Sequence, residues 1–329
     1  MAEAKVYHTA DCDPKLLSWK RIVIVGYGSQ GRAWALNLRD SEADVSVALM
    51  PGSKSIGVAA ADWVEPVELT AVKEADIVVF AFPDHEQVDF YETFLEDEPK
   101  PKQALVFLSG MNIHFGNIEP ASEHDIILLA PHGPGVTLRE KFLAGEGLSA
   151  FLGVAQDSSG EALKIGLALA AALGCGEAGI YETTFKDEAI GDLFGEQVLL
   201  VGGLAGMTMS AFDKLVEQGL PPRNAYLETV AQLKSLVELM EKHGPVGLLQ
   251  NVSKTATAGS LMAMLLIFSQ DYDKALDKIY EFVASGEFNK FLQHESKNKF
   301  AKTREMLEML SDDPCQQTVE EINRERDNS

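Results

Sequence analysis

"RIVIVGYGSQGRAWALNLRD", residues 21 to 40, is the stretch whose reading decides the fold. Its β-branched run, Ile22 to Val25, shows no polar alternation, the mark of a strand buried on both faces. A glycine-rich turn follows directly, and the chain then continues with helical spacing. The turn, "GYGSQG", sets Gly26, Gly28 and Gly31 in the GxGxxG pattern. That pattern alone also occurs in ordinary turns. Between a strand and a helix it is a dinucleotide fingerprint, because the glycines allow close backbone approach and the helix N-terminus receives the pyrophosphate. The reading sets Gly26, Tyr27, Gly28, Ser29, Gln30 and Gly31 against a nicotinamide dinucleotide.

Outward from this unit, short apolar runs recur between helical patterns: "DVSVAL" from 44, "DIVVFAF" from 76, "ALVFL" from 104 and "DIILLA" from 125. "SAFLGVA" from 149 and "AGIYET" from 178 extend the series. Buried strands joined by crossover helices predict a parallel, doubly wound sheet. After about residue 184 the β-branched runs stop. Apolar spacing then predicts helices over 187–218, 222–242, about 252–269, 271–285 and 298–310, and the polar tail from Cys315 is expected to fray. The expected organisation is an α/β Rossmann domain over residues 1–183 and an all-α domain over 184–329.

The choice between NAD and NADP is read after the second strand, in "VALMPGSKS". No acidic residue ends the strand to hold the ribose hydroxyls, which removes the usual NAD signal. Ser53, Lys54 and Ser55 suit either a 2′-phosphate or a solvated loop, so NAD and NADP both stay open. Met50, and Pro83, Asp84 and Gln87 after the strand at 76, complete the expected cofactor contacts.

The totals exclude several classes. A chain of 329 residues with 46% hydrophobic and 24% charged residues is an ordinary globular composition. Fifty acids against 28 bases, a net charge of −22, repel phosphate backbones, so no nucleic acid is expected as partner. The start has no apolar signal core, and the oily run "LMAMLLIF" at 261–268 is under half of the roughly 20 residues a membrane span needs. A cytoplasmic protein with no membrane partner is the expectation. Cys12, Cys175 and Cys315 lie far apart and imply neither a disulfide framework nor a thiolate metal site.

In the helical half, Asp192 and Glu196 interrupt the oily run "AIGDLFGEQVLLVGG" one helical turn apart. Glu228 and Gln232 repeat that spacing in "AYLETVAQLKSLVEL". Carboxylates on facing helices are how bundles hold hard cations, and all-oxygen donors favour Mg²⁺ or Mn²⁺. Ordinary solvated helix acids would show the same spacing.

The stretches "KVYHTADCD", "GYGSQGRAWALNLRDS", "MNIHFG", "APHGPG", "ETTFKDEAIGDLFGEQ", "GGL" and "AYLETVAQLKSLVEL" follow, in order, the pattern of ketol-acid reductoisomerase in its short, class I form. The resemblance spans about residues 5 to 260 and is looser to 310. It implies a Rossmann domain, a knotted helical domain, and a homodimer whose active sites draw on both chains. It also implies a two-Mg²⁺ site, at which an acetohydroxyacid undergoes alkyl migration before reduction by NADPH. Carried over by position, Asp192 and Glu196 match metal ligands, Glu228 matches a ligand offered across the dimer, and Ser253 in "NVSKTAT" matches a substrate-contacting serine. The chain departs from the pattern at Ser109, where the family has histidine, at His132, where it has the catalytic lysine, and at Gln232, where it has glutamate. Met50 replaces an arginine that contacts the adenosine phosphate.

These departures fall on the groups that manage alkyl migration. A lysine is a fixed cation, whereas an imidazole with an unperturbed pKa of about 6.5 takes and returns protons, and glutamine is no base. Migration should suffer while hydride transfer survives. The favoured expectation is therefore redox-neutral aldose to ketose isomerisation of an anionic sugar. In it His132 shuttles the proton, and Arg139, Arg223 and Lys54 are candidate anchors for the anionic tail, each weighed against a plain surface role. A genuine reductoisomerase and a catalytically inactive cofactor-binding sensor are the alternatives. His114 is expected to be structural.

Overall fold

The computed structural model describes residues 4–97 and 99–327. The chain divides into two compact units, residues 1–191 and 192–329.

In the first unit the strands are β1 (Val6–Tyr7), β2 (Ile22–Val25), β3 (Val45–Ala48), β4 (Glu65–Val67), β5 (Ile77–Phe80), β6 (Ala104–Phe107), β7 (Asp125–Pro131), β8 (Ala150–Gln156) and β9 (Ile180–Glu182). They form one sheet in the order β1-β9-β8-β7-β6-β5-β2-β3-β4. The helices are α1 (Ser29–Asp40), α2 (Ser55–Ala61), α3 (Asp84–Phe94), α4 (Met111–His114), α5 (Gly135–Ala144), α6 (Ala162–Ala172) and α7 (Phe185–Gly195), the last reaching into the second unit. The strand order reverses at β2 and β5, so the crevice above their carboxyl ends is the switch point where open α/β sheets bind ligands.

Alternation along β2 explains why its run carries no polar residue. Ile22 and Ile24 join a core with Trp34, Leu38 and Ile77 on one face, while Val23 and Val25 join Phe80, Phe107 and Phe185 on the other. Each such fully buried side chain contributes about 1.5–3 kcal/mol. The Phe80 and Phe107 rings stack at 4.5 Å.

The expected parallel pairing holds from β4 through β3, β2, β5 and β6 to β7 and again between β8 and β9, and the sheet departs from it at two places. Strand β8 runs antiparallel to β7, with Pro131 opposite Ala150, because the chain leaves the sheet and re-enters it at the same end. Strand β1 pairs antiparallel with β9. Neither β1 nor β4 stands out in the sequence, each being two or three residues long.

The second unit is helical: α8 (Gly202–Glu217), α9 (Pro222–Glu228), α10 (Leu233–Gln250), α11 (Lys254–Ile267), α12 (Gln270–Ala284), α13 (Glu287–Lys297), α14 (Ala301–Ser311) and α15 (Pro314–Asp327). The predicted helix 187–218 is interrupted by a π-helical turn, Glu196–Leu200. Glycine permits this winding: a Cβ at Gly203 would lie 1.9 Å from the Val198 carbonyl oxygen, and one at Gly202 would lie 2.3 Å from that of Gln197. The predicted helix 222–242 breaks at Thr229 (φ −121°, ψ −82°), and α10 bends at Gly244 ahead of Pro245. Helix α13 was not anticipated. The tail expected to fray is instead α15, whose Cys315 packs with Phe212, Ala225 and Tyr226. Helix α11 has no buried residue, and Leu265 and Leu266 are 75% and 80% exposed.

Candidate functional site

At the switch point each glycine of the turn has a separate steric reason. Gly26 has φ +93°, and its Cβ would lie 2.6 Å from the Ala81 carbonyl oxygen; a Cβ at Gly31 would lie 2.4 Å from that of Gly26. Gly28 faces open space, where a phosphate can approach the backbone. A second contact fixes the turn from outside. Gln30 Nε2 donates to the Gly133 carbonyl at 2.7 Å, and Gly135 abuts Ser29 so closely that a Cβ would meet the Ser29 oxygen at 2.0 Å. The N-termini of α1 and α5 are thereby locked together beside the turn.

A cleft of about 540 Å³ opens beside the turn, lined among others by Gly26, Tyr27, Met50, Ser53, Ser55 and Phe82. The Ser53 hydroxyl accepts from the Ser55 N–H, and Lys54 is exposed at the start of α2. Tyr27 turns its hydroxyl away to Asp62 at 2.9 Å, where Arg32 also binds. Burial, and then the Asp62 carboxylate, pushes the phenol up to about 12. Gln87 is buried, donates to the Phe82 carbonyl and accepts from Asn112, which also bonds the Asp84 carbonyl. Both ends of its amide are thus used to hold the loop at Pro83 and Asp84.

Ser109 follows β6, and its hydroxyl accepts from the Met111 N–H. His132 follows β7. Its Nδ1 lies 2.9 Å from the Ser149 hydroxyl, and its ring stands edge-on to Phe151 with centroids 4.3 Å apart. Partial burial lowers the imidazole pKa, because it disfavours the charged ring. The His114 ring lies tilted against Phe115 with centroids 4.6 Å apart, and its pKa is also lowered, first by burial and then by Lys186.

In the second unit, Asp192 and Glu196 both reach solvent, yet the surrounding chain desolvates them enough to raise both pKa values, Glu196 further through the Asp192 charge. No ion pair with a basic side chain is formed by either among the described residues. Two like charges held one turn apart without a cation are the donor chemistry of a divalent-ion site. Glu228 ends α9 and Gln232 follows the helix break, so the pair does not share a continuous helix; their side chains lie 3.5 Å apart. Among the described residues no three His, Cys, Asp or Glu side chains gather to hold an ion, so Glu228 does not join Asp192 and Glu196 within one chain. Ser253 caps α11 through the Ala256 N–H.

Two expected anchors are overturned. Arg139 is tied to Asn37 and Asp40, and Arg223 forms a two-pronged pair with Glu325. Each is already neutralised within its own unit. One residue escaped the sequence reading: Glu188, buried in α7, accepts from the Gly110 N–H and ties the Ser109 loop to that helix. Its spacing, four residues before Asp192, was the available signal.

A glycine fingerprint between strand and helix, at the switch point of a doubly wound sheet, defines a dinucleotide-binding protein of the Rossmann class. The sequence profile described as "Acetohydroxy acid isomeroreductase, NADPH-binding domain" matches residues 16–179, and "Ketol-acid reductoisomerase, C-terminal domain" matches 185–328. The chain belongs to the ketol-acid reductoisomerase family. It is 42% identical over 286 residues to the "Ketol-acid reductoisomerase (NADP(+))" of Saccharolobus islandicus strain L.S.2.15, covering 87% of this chain and 85% of the relative. The protein of the same name from Saccharolobus solfataricus gives the same figures. A solved NADH-preferring ketol-acid reductoisomerase from an uncultured archaeon superposes with a TM-score of 0.93 at 32% identity, covering 97% of this chain and 98% of that one. The chain is therefore an NAD(P)-dependent enzyme of the isomerising oxidoreductase type acting on a small molecule.

Proposed function

We propose that this enzyme transfers hydride at a hydroxy-carbonyl substrate chelated by a divalent ion, with His132 as the group that moves the proton. The observation that carries the reading is the place of His132, directly after the carboxyl end of β7, bonded through Nδ1 to Ser149 and one residue from the Gly133 carbonyl that Gln30 grips. Bound nicotinamide would supply hydride acceptance and donation, and the ion would polarise the carbonyl. Asp192 and Glu196 would hold that ion, with Glu228 offered by a partner chain, because their oxygen donors suit Mg²⁺ or Mn²⁺. Gly28 and the α1 N-terminus would receive the pyrophosphate.

For the substrate, the 42% identity to proteins named as NADP-dependent reductoisomerases gives the stronger support to an acetohydroxyacid, with alkyl migration followed by reduction. A second reading rests on particular residues. His132 is no permanent cation and Gln232 no base, while hydride transfer needs neither a lysine nor a second glutamate. That favours redox-neutral isomerisation of an aldose, and of the three expected anchors for an anionic tail Lys54 remains. In that reaction His132 takes the hydroxyl proton as hydride leaves the carbinol carbon, and gives it back when hydride returns at the neighbouring carbon.

A homodimer is part of the proposal. Helix α11 presents Leu261, Met262, Leu265 and Leu266 to solvent, an apolar face that a second copy would cover. The stretch Phe185–Glu217 is long and apolar enough to cross a bilayer by length and composition alone. Its carboxylates at 187, 188, 192, 196, 213 and 217 make a helix–helix interface the better reading.

The deciding experiment offers purified enzyme, Mg²⁺ and either 2-acetolactate with NADPH or glucose 6-phosphate with catalytic NAD⁺. Stoichiometric NADPH consumption with dihydroxyisovalerate formed establishes the reductoisomerase. Ketose formation without net cofactor change establishes the isomerase. Reduction of a preformed 3-hydroxy-2-keto acid without turnover of acetolactate would show hydride transfer kept and migration lost. No hydride transfer in any of these assays overturns the proposal.

A further inference from the structure

We infer that Ser149 is a positioning residue for His132, holding the imidazole so that Nε2 serves the substrate; the inference rests on the proton-moving role proposed for His132. Ser149 lies immediately before β8, and the antiparallel register that sets Pro131 opposite Ala150 brings it across from His132. Two bonds join the pair. The His132 N–H donates to the Ser149 carbonyl at 2.9 Å, and the Ser149 hydroxyl meets Nδ1 at 2.9 Å. Phe151, two residues along β8 and therefore on the same face, meets the ring edge-on. Backbone, hydroxyl and aromatic wall together fix the ring plane, and Nε2 has no partner among the described residues.

The choice of a hydroxyl is chemically specific. A carboxylate at Nδ1 would hold a proton there and favour the imidazolium, as an opposite charge does. A serine hydroxyl both donates and accepts. It bonds the bare Nδ1 when Nε2 carries the proton, and accepts from Nδ1–H when Nε2 is bare or when both nitrogens are protonated. A proton can therefore pass from a substrate hydroxyl to Nε2 and back with the Ser149 bond kept throughout. Proton count and charge balance over the cycle, and no further reactant is needed.

The test uses full-length enzyme labelled with ¹⁵N-histidine, the His132 signal being assigned by its loss in His132→Gln. In Ser149→Ala the His132 ring nitrogens should move to the averaged shifts of an unanchored imidazole; Ser149→Thr, which keeps the hydroxyl, should hold the wild-type shifts. With the substrate established above, Ser149→Ala should lower kcat by several-fold to about tenfold with KM changed by less than about twofold, the size of one lost hydrogen bond. Threonine should recover most of that loss. Unchanged His132 shifts in the alanine variant overturn the inference, as does equal loss in the alanine and threonine variants. Full turnover in His132→Ala instead overturns the reading beneath it, while an inactive His132→Ala beside an unaffected Ser149→Ala removes Ser149 alone.

Discussion

Gly135→Ala puts the junction between the glycine turn and α5 to the most direct test. The added Cβ would lie 2.0 Å from the Ser29 oxygen, 2.3 Å from its carbonyl carbon and 2.8 Å from the Gln30 nitrogen. These are backbone atoms and cannot swing aside, so the N-termini of α1 and α5 must part by about 1 Å to reach 3.0 Å, the least separation Cβ atoms tolerate. Overpacking of this kind costs about 1–3 kcal/mol, and a rigid neighbour puts the site at the upper end. At about 2–4 °C per kcal/mol for a domain of this size, the melting temperature should fall by roughly 6–12 °C. The same shift moves Ser29 and Gln30, and with them the pyrophosphate seat, so NADPH or NADH should bind about tenfold more weakly, or ~1.4 kcal/mol. Thermal unfolding by circular dichroism and nicotinamide fluorescence titration read the two effects. Gly57→Ala is the control: it lies inside α2 with nothing within 4 Å of its Cβ, and should stabilise by about 0.5–1 kcal/mol without changing cofactor affinity. A Gly135→Ala protein that melts and binds like the wild type would refute the reasoning.

Three further outcomes are expected. Asp192→Asn should weaken Mg²⁺ binding by at least about tenfold in calorimetry, because one of two facing charges is lost; unchanged affinity would remove the carboxylate pair from the ion site. His124 is fully buried, and burial is the first cause that depresses its pKa. The folded state therefore prefers the neutral ring, and the stability this contributes is present above the unfolded value near 6.5 and lost as pH falls through it. His124→Leu should accordingly narrow the difference in melting temperature between roughly pH 7.5 and 5.5, whereas an equal difference in both proteins contradicts this. Leu265→Glu combined with Leu266→Glu should turn a dimer into monomer in light scattering, since the change sets charges into the apolar face of α11; a dimer that persists would locate the interface elsewhere.

The local elements were legible because their causes are local. Ile22 to Val25, the GxGxxG turn and the apolar spacing of α1 sit within twenty consecutive residues, and strand, turn and helix follow from them. The acids at 192 and 196 likewise announce themselves by interrupting an oily run at helical spacing, and family membership rests on motifs that are themselves short. Helix interruptions were harder. The π-turn over Glu196–Leu200 depends on close carbonyl approaches that Gly202 and Gly203 allow, and at the Thr229 break the hydroxyl bonds back to the Ala225 carbonyl; a hydrophobic period registers neither. What only the tertiary structure decided is which distant residues meet. Arg139 is set against Asp40 by α5, and the Gln87 amide meets Asn112, twenty-five positions away. His132 and Ser149 are seventeen positions apart, and no local pattern links them. Their contact exists because β8 returns antiparallel beside β7, and strand register is fixed by burial summed over a whole sheet rather than by the residues it brings together.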